Sequence, residues 1–399
     1  MSKPNLTKTS RTDNAKPVVA TTAKPHKDFP LTAHRNGQWC KKVRGQIHYF
    51  GPLSDPDAAL RRWLDEKDDL LAGRKPRRGR QGQEVADLVF RFLDSKKKLV
   101  ESGELNPRTW GEYYDVGQIV VSVFGRRRLV EDLAGDDFEK LRAKWTGLAP
   151  VTVSKRVQMV RTIMGYAWRE GLIERPVRFG TGFAKPSRKA MRLARHAAGS
   201  KMIEAEDIQK LLKLASVQLR AMILLAMNCG LGNSDLANLP FSAIDFKRGW
   251  LNFPRSKTGI GRRCPLWPKT IRAIKAAMAE RPDPKTPEDD RLVFLTRTGK
   301  PWVRVTPREK GAAMVVDSIT LEFAKLLKAT NLKRPGLSFY SLRHVHRTVA
   351  DGSGDRTACD AIMGHAADPG DMAASYIERI DDSRLEAVAK HVCSWLFKQ

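Results

Sequence analysis

The sequence predicts a mainly α-helical protein with small β-sheets, divided into two or three domains. Apolar residues recur at helical spacing through much of residues 83–399, which is typical of helices with one buried face. Short β-prone runs punctuated by glycine occupy residues 36–52 instead. A chain of 399 residues exceeds the usual length of one domain, and a hydrophobic fraction of 41% is sufficient for separate cores.

The N-terminal part is predicted to be a disordered tail followed by a small module. Residues 1–28 are polar and offer little to bury. Residues 29–75 contain two β-prone runs, which predict a small antiparallel sheet, and then Asp55-Pro56, which starts a predicted helix running to about Leu71. The basic stretch 73–82 is predicted to be a linker that can follow phosphates.

Residues 83–184 are predicted to form a helical domain. Its four helices start near Val85, at Pro107, at Asp136 and at Thr152. The triplet Arg126–Arg128 is either a phosphate contact or a solvated turn. The basic, alanine-containing segment 185–201 is interpreted as an exposed interdomain linker.

Residues 202–399 are predicted to form a mainly α domain with a small sheet. A helix headed by Ala205 precedes a long apolar helix, Leu219–Asn228. Trp250–Phe253 and Arg263–Leu266 flank a glycine-containing turn, so this part is predicted to be a β-hairpin with Lys257 in its turn.

Composition indicates a nucleic-acid partner. The chain has 72 Lys plus Arg against 44 Asp plus Glu, a net charge of +28 and a pI near 10.1. Such an excess suits a polyphosphate and argues against an enzyme for acidic small molecules. The alternative is a solvated basic surface with no partner.

The cysteines predict a reducing compartment. Five scattered cysteines form no C-x-x-C pair, so neither a disulfide framework nor a cysteine zinc site is expected. His344 and His346 have no third ligand nearby, and no metal is expected. Without a membrane-spanning run or a signal-peptide core, the protein is predicted to be cytoplasmic and DNA-associated.

Four residues form an ordered constellation: Lys257, Arg343, His365 and the late Tyr376. Two cations, an imidazole and a phenol suit the attack of a side-chain oxygen on a phosphodiester whose charge is held by fixed donors. Taken alone, Lys257 could lie in a solvated turn, Arg343 could form a surface ion pair, and Tyr376 could be a core or interface residue.

The segments around these residues resemble the tyrosine recombinases, the phage-integrase family. The segments that carry the resemblance are Gly230–Leu236, Lys257–Gly259, Ser341–His344, Met363–His365 and Tyr376. The resemblance implies a catalytic domain of the tyrosine recombinase type at 202–399, a helical core-binding domain at 83–184 and an arm-type DNA-binding module at 29–75.

The resemblance also implies a role for each residue. Tyr376 would be the nucleophile that forms a 3′-phosphotyrosyl link and releases a 5′-hydroxyl, with no metal or nucleotide cofactor. Arg343 would clamp the scissile phosphate, His365 would donate to a phosphate oxygen, and Lys257 would protonate the leaving 5′-oxygen. His344 would be structural.

Two positions depart from the family pattern. Gly232 stands where the family has arginine, and Tyr340 stands where it has histidine. Removing one preorganised donor from such a site commonly costs about 10²–10³ in rate, so slow cleavage is expected, with a gain from Gly232→Arg. Arg347, one helical turn from Arg343, and Arg262 or Arg263 are alternative sources of the missing charge.

The predicted function is therefore a site-specific DNA recombinase, or integrase, that acts as a tetramer on double-stranded DNA. The alternatives are a catalytically degenerate DNA-binding member, a type IB topoisomerase-like enzyme and a plain transcriptional regulator. The apolar stripe from Leu385 to Leu396 either packs on its own chain or docks on a neighbouring protomer.

Overall fold

The computed structural model describes residues 23–73, 76, 82–306, 308, 311, 313–365, 377 and 379–398. Most of the predicted disordered tail, most of the basic linker and Tyr376 lie outside these residues. The chain divides into two compact units. The first unit comprises residues 1–98, 116–148 and 155–185, and the second comprises residues 99–115, 149–154 and 186–399.

The first unit begins with the predicted sheet and helix. Strands β1 (Thr32–His34), β2 (Gln38–Val43) and β3 (Gln46–Pro52) pair antiparallel in that order, and helix α1 (Pro56–Leu71) packs against them. The Asp55 carboxylate accepts from the Ala58 amide at 2.9 Å and caps the helix. The small core consists mainly of Phe29, Leu31, Trp39, Phe50 and Trp63.

The four predicted helices that follow are confirmed. They are α2 (Val85–Glu101), α3 (Pro107–Phe124), α4 (Gly135–Ala143) and α5 (Pro150–Arg169). Within the first unit, α2 buries the apolar face that its spacing predicts. The Phe92 ring meets Tyr166 of α5 edge-on at 5.5 Å, and Phe138 of α4 packs on Phe124 at 5.1 Å. Aromatic edge contacts of this kind fix how the helices cross.

The basic triplet 126–128 is mostly occupied by ion pairs within the first unit. Arg128 is nearly buried and lies 3.0 Å from Asp69 and 3.4 Å from Asp137. Arg127 pairs with Asp65 on the same acidic side of α1. The solvated-turn interpretation is therefore wrong for Arg128. Its guanidinium links α1 to α4 through ion pairs within the protein.

The second unit is mainly helical with two small sheets. Its elements are α6 (Arg188–Ala197), α7 (Ala205–Leu214), α8 (Val217–Cys229), α9 (Asn233–Ala237), β4 (Ile244–Asp245), β5 (Trp250–Asn252), β6 (Arg263–Pro265), α10 (Pro268–Ala279), β7 (Val303–Thr306), β8 (Met314–Asp317), α11 (Ser318–Ala329), α12 (Ser341–Asp351), α13 (Arg356–Met363) and α14 (Asp382–Phe397). Strands β4, β5 and β6 pair antiparallel in that order, which confirms the predicted hairpin.

Helix α8 is the centre of this unit. Every residue from Ala221 to Cys229 is buried, as expected for a helix enclosed by others, and the helix packs against α10, α12 and α14. Buried Asn228 near its end donates to the Pro265 carbonyl at 2.9 Å and accepts from the Trp267 amide at 2.8 Å. These bonds fix β6, and with it the β5–β6 hairpin, to the end of α8.

The elements that were not predicted include a helix and a hairpin. The segment interpreted as an interdomain linker contains α6, which starts at the Ser187 cap and buries none of its side chains. The hairpin β7–β8 also escaped prediction, although Val303 and Val305 face Asp317 and Val315 across it. Each strand is only four residues long, and only β7 alternates apolar with polar residues, so the pattern is too short to predict a strand.

Among the described residues, no helix is both long and apolar enough to span a bilayer. The same residues contain no group of three or more His, Cys, Asp or Glu side chains placed to hold a metal ion.

Candidate active site

Arg343 lies on the first turn of α12 and points into the unit, with 4% of its surface exposed. Its guanidinium donates to the carbonyl of Gly230, and to the carbonyl of Met363 at 3.0 Å. Burial is the main cause that lowers the pKa of Arg343, followed by the nearby charge of Arg255. Guanidinium stays protonated under these conditions, so the structure holds a fixed, buried positive charge.

His365 contacts Arg343 directly. Helix α13 ends at Gly364, whose φ of 61° is left-handed, and this turn brings the imidazole back over α12. The His365 Nε2 atom lies 3.0 Å from Arg343 Nη2, and its Nδ1 atom lies 3.3 Å from Asp360 Oδ1. Because guanidinium only donates, Nε2 accepts and Nδ1 carries the proton toward Asp360.

The charge state of His365 depends on these neighbours. Burial, and then the positive charge of Arg343, lower the pKa of His365, while the hydrogen bond that His365 donates to Asp360 opposes them. The imidazole is therefore neutral at neutral pH. A phosphate oxygen that replaced His365 as the acceptor for Arg343 would favour imidazolium, which donates from both nitrogens.

Arg347 is not the relocated charge that the sequence left open. Its guanidinium pairs with Asp360 at 3.0 Å and with Asp351 at 3.3 Å. Its positive charge is therefore neutralised behind His365. Arg347 supports Asp360, which in turn orients the imidazole.

In the turn after α8, both the backbone conformation and the packing require glycine at Gly230. Gly230 has φ 63°, and a Cβ atom there would lie 2.9 Å from His346 Cδ2. His346 is buried, and its Nδ1 atom lies 2.8 Å from the Met227 carbonyl. Burial lowers the pKa of His346 to about 4, so the ring is neutral and donates from Nδ1. This contact holds the Gly230 carbonyl that receives Arg343.

The two departures from the family pattern lie side by side. Gly232 has φ −96°, an ordinary extended conformation, so its backbone does not require glycine. A Cβ atom there would lie 3.2 Å from the Tyr340 ring, which is tighter than most real contacts. Tyr340 is 44% exposed and meets His344 edge-on at 5.5 Å. The small residue therefore accommodates the large ring.

Asp235, three residues after Gly232, finds its cation on the hairpin. Its Oδ2 atom accepts from the Gly232 amide at 3.0 Å and from Arg262 Nη1 at 3.1 Å. Arg262 is 3% exposed and also donates from Nε to the Phe253 carbonyl at 2.9 Å. Neighbouring Arg263 pairs instead with Asp382 at 2.7 Å and lies over the Trp250 ring.

Lys257 is exposed on the turn between β5 and β6, as predicted. The Arg255 amide donates to the Ile260 carbonyl at 2.8 Å and closes that turn. The Thr258 hydroxyl donates to the Gly364 carbonyl at 3.3 Å. The hairpin that carries Lys257 is thereby attached to the residue before His365.

Tyr376 lies outside the described residues, so its distance to the other site residues remains a sequence-based expectation. The helix that follows packs on its own unit. In α14 the Ala389 carbonyl accepts from the Trp267 indole at 2.9 Å, and Arg384 pairs with Asp355 through two bonds of 2.6 and 2.8 Å. The apolar stripe of α14 is buried in the same core.

Sequence reasoning missed three residues of this site. His346 acts through a hydrogen bond to Met227, which is 119 residues away, and Asp360 acts through His365, five residues further along the chain. Neither residue belongs to a recognisable motif. Arg255 had a weak signal, because it stands two residues before Lys257 in the same hairpin.

The sequence of this chain is similar to sequences of known proteins. Residues 194–378 match the sequence profile of the phage integrase family. The chain is similar to tyrosine recombinase XerC of Erythrobacter litoralis (strain HTCC2594), with 25% identity over 278 residues that cover 65% of this chain and 80% of that protein.

Two solved structures share the fold. A λ integrase dimer bound to a COC′ core site matches with TM-score 0.51 and 16% identity, covering 90% of this chain and 99% of that one. The Tn1549 transposon integrase in complex with transposon right end DNA matches with TM-score 0.53 and 14% identity, covering 78% and 100%. Residues 194–378 therefore form a phage integrase domain, and the chain shares the fold of these two integrases.

Proposed function

We propose that the chain is a site-specific DNA recombinase, or integrase, that cuts and rejoins double-stranded DNA through a 3′-phosphotyrosine. The observation that carries this proposal is the contact between Arg343 and His365 at 3.0 Å, beside the hairpin that bears Lys257. A buried guanidinium next to an imidazole, with no carboxylate within 4 Å of Arg343 among the described residues, is suited to a phosphate.

In this proposal the Tyr376 oxygen attacks the scissile phosphorus, releases its phenolic proton to water and forms the 3′-phosphotyrosyl bond. The 5′-oxygen leaves and takes a proton from Lys257. Arg343 neutralises the charge that builds on the non-bridging oxygens, and His365 donates to one of them. The covalent bond retains the energy of the broken linkage, so the reverse attack by a 5′-hydroxyl rejoins the strand without a cofactor.

The proposed partners are duplex DNA and further copies of this chain. A positive charge of +28 supplies sequence-independent affinity through counterion release. Solved relatives include a λ integrase tetramer bound to a Holliday junction, which is the assembly that strand exchange by four such sites requires.

We also propose that residues 29–75, 83–184 and 202–399 are an arm-type module, a core-binding domain and a catalytic domain. The exposure of α6 between the last two supports this division. Limited proteolysis without DNA should cut first within residues 185–201. Earlier cleavage inside either helical block would contradict the division.

The proposal is tested with duplexes from the DNA that flanks the gene, nicked near the crossover so that cleavage traps the protein. Wild type should become covalently linked, and Tyr376→Phe should bind the same duplex without linkage. Binding without linkage by wild type would favour the degenerate DNA-binding alternative. Relaxation of a supercoiled plasmid that lacks the site would favour a topoisomerase.

A further inference from the structure

The carboxylate of Asp235 lies next to Gly232, which has no cationic side chain to pair with it. It is almost buried, and a buried carboxylate without a cation is strongly destabilising. Arg262 fills that requirement from the hairpin, with its side chain enclosed and its Nη1 atom 3.1 Å from Asp235. Arg262 is therefore committed to the protein interior, and the position next to Arg343 still lacks an accessible second guanidinium.

Arg255 approaches this position from the same hairpin. Its side chain is half-buried, and its Nη1 atom donates to the Gly364 carbonyl at a long 3.4 Å. A Cβ atom on Gly364 would lie 3.0 Å from Arg255 Cβ, so the arginine stem passes directly over the residue before His365. Among the described residues, no carboxylate lies within 4 Å of Arg255.

The charge of Arg255 reaches both members of the clamp. After burial, it is the largest influence that lowers the pKa of Arg343, ahead of Arg262, and it also lowers the pKa of His365. Two guanidiniums that repel each other near a buried site raise the energy of the empty protein. An anion placed between them removes that repulsion and gains hydrogen bonds from both.

We propose that Arg255 is a phosphate-binding residue. It supplies, beside Arg343, the second guanidinium that Gly232 cannot supply. Arg262 takes over only the structural part, the pairing with Asp235. The departure at Gly232 then leaves the number of arginines at the phosphate unchanged. This inference rests on the proposed DNA cleavage and assigns its second charge.

The first test compares Arg255→Gln with Arg272→Gln, which removes the same charge from an exposed position of α10 in the same unit. In single-turnover cleavage of the trapped duplex, Arg255→Gln should be slower than wild type by about 10²–10³. Arg255→Lys should recover only part, because an ammonium lacks the planar fork. Arg272→Gln should cleave like wild type, and equal rates for the two Gln variants would overturn the proposal.

A neutral scissile linkage separates a phosphate contact from a folding defect. If a methyl group replaces one non-bridging oxygen, the linkage carries no charge and needs one cation fewer. The loss caused by Arg255→Gln should then shrink markedly. An unchanged loss on the neutral linkage would show that Arg255 acts structurally.

A second readout does not depend on cleavage. The imidazole of His365 is a local reporter, assigned by its loss in His365→Gln. Inorganic phosphate should raise the pKa of His365, measured by NMR, in wild type and Arg272→Gln but much less in Arg255→Gln. An equal rise in all three would overturn the proposal. A selective rise without any DNA cleavage would support the phosphate site and defeat the recombinase function instead.

Discussion

Arg343 and Arg255 carry the same group but are held in opposite ways. The Arg343 side chain is buried on a helix and donates to two carbonyls and an imidazole. The Arg255 side chain is half-exposed in a hairpin and, among the described residues, makes one long hydrogen bond. The helix side of the site is thus fixed before DNA arrives. On the hairpin side the backbone is also anchored, but the half-exposed side chain of Arg255 and the exposed side chain of Lys257 can adjust to the phosphate.

This difference indicates how the work is divided. A fixed donor needs no reorganisation when charge develops, and so it stabilises the transition state most. A looser donor costs ordering free energy on binding, but it can approach a phosphate from the open side. Substitutions on the helix side should therefore affect the chemical step more than substitutions of the same kind in the hairpin.

The largest effect is expected for Arg343→Lys. Lysine retains the charge, but it cannot reach two phosphate oxygens or both carbonyls that Arg343 now holds. Single-turnover cleavage should fall by about 10³ or more, the upper part of the range for one lost donor. Arg255→Lys is the matched change in the hairpin and should lose less. A greater loss for Arg255→Lys would reverse the comparison.

The next prediction concerns Gly232 and Tyr340 together. The sequence alone suggested that Gly232→Arg would speed cleavage. In the structure the Tyr340 ring lies 3.2 Å from the first side-chain atom of such an arginine, and Arg262 already pairs with Asp235. Gly232→Arg should therefore gain little by itself, and Gly232→Arg with Tyr340→His should exceed the sum of the single changes.

The cleavage rates of both single variants and of the double variant measure the coupling free energy between the two positions. For residues in contact, this coupling is usually about 0.5–3 kcal/mol. Gly232→Ala is the control, since it adds only the Cβ atom that meets the ring. Strictly additive effects would show that the two positions are independent.

A smaller effect is expected for Asp360→Asn. Asp360 opposes the burial that lowers the pKa of His365, and Asn retains an acceptor oxygen for Nδ1–H. Without the negative charge, the pKa of His365 should fall further. If imidazolium donates to the phosphate, the loss of activity with rising pH should move to lower pH. Asp351→Asn, which contacts Arg347 and not His365, should leave the pH–rate profile in place.

The smallest effect falls on stability through His346. Its pKa is about 4 in the folded protein against an ordinary value of 6.5, so the unfolded chain binds a proton first as the pH falls. Its contribution is complete above pH 6.5 and declines toward pH 4, by roughly 3 kcal/mol at most. Chemical denaturation at both pH values should show a flatter dependence for His346→Leu. Val345→Ala, which alters no titratable group on the same helix, should keep the wild-type dependence of stability on pH.

Local signals in the sequence were sufficient for most of the fold. The spacing of apolar residues and the prolines at Pro56 and Pro107 predicted α1 to α5, and Lys257 was correctly placed in a hairpin turn. The sequence also singled out Arg343 and His365, whose side chains are in contact in the structure. Such features depend on neighbours a few residues away.

The unpredicted features depend on distant contacts. The pairing of Arg262 with Asp235 spans 27 residues, and the contact of Arg255 with Gly364 spans 109. From the sequence, Arg262, Arg263 and Arg347 were equivalent sources of charge, because nothing local shows which arginine already has a carboxylate. Only the packing of the hairpin against α13 separates a paired arginine from an unpaired one.

The covalent adduct itself is the most direct measurement of the central claim. Wild type would be incubated with the nicked duplex, digested with protease and nuclease, and analysed by mass spectrometry for a nucleotide on a tyrosine. The account predicts a 3′-linked nucleotide on Tyr376, absent from Tyr376→Phe and present in Tyr49→Phe, which removes a tyrosine of β3. A nucleotide attached elsewhere, or cleavage that persists in Tyr376→Phe, would contradict it.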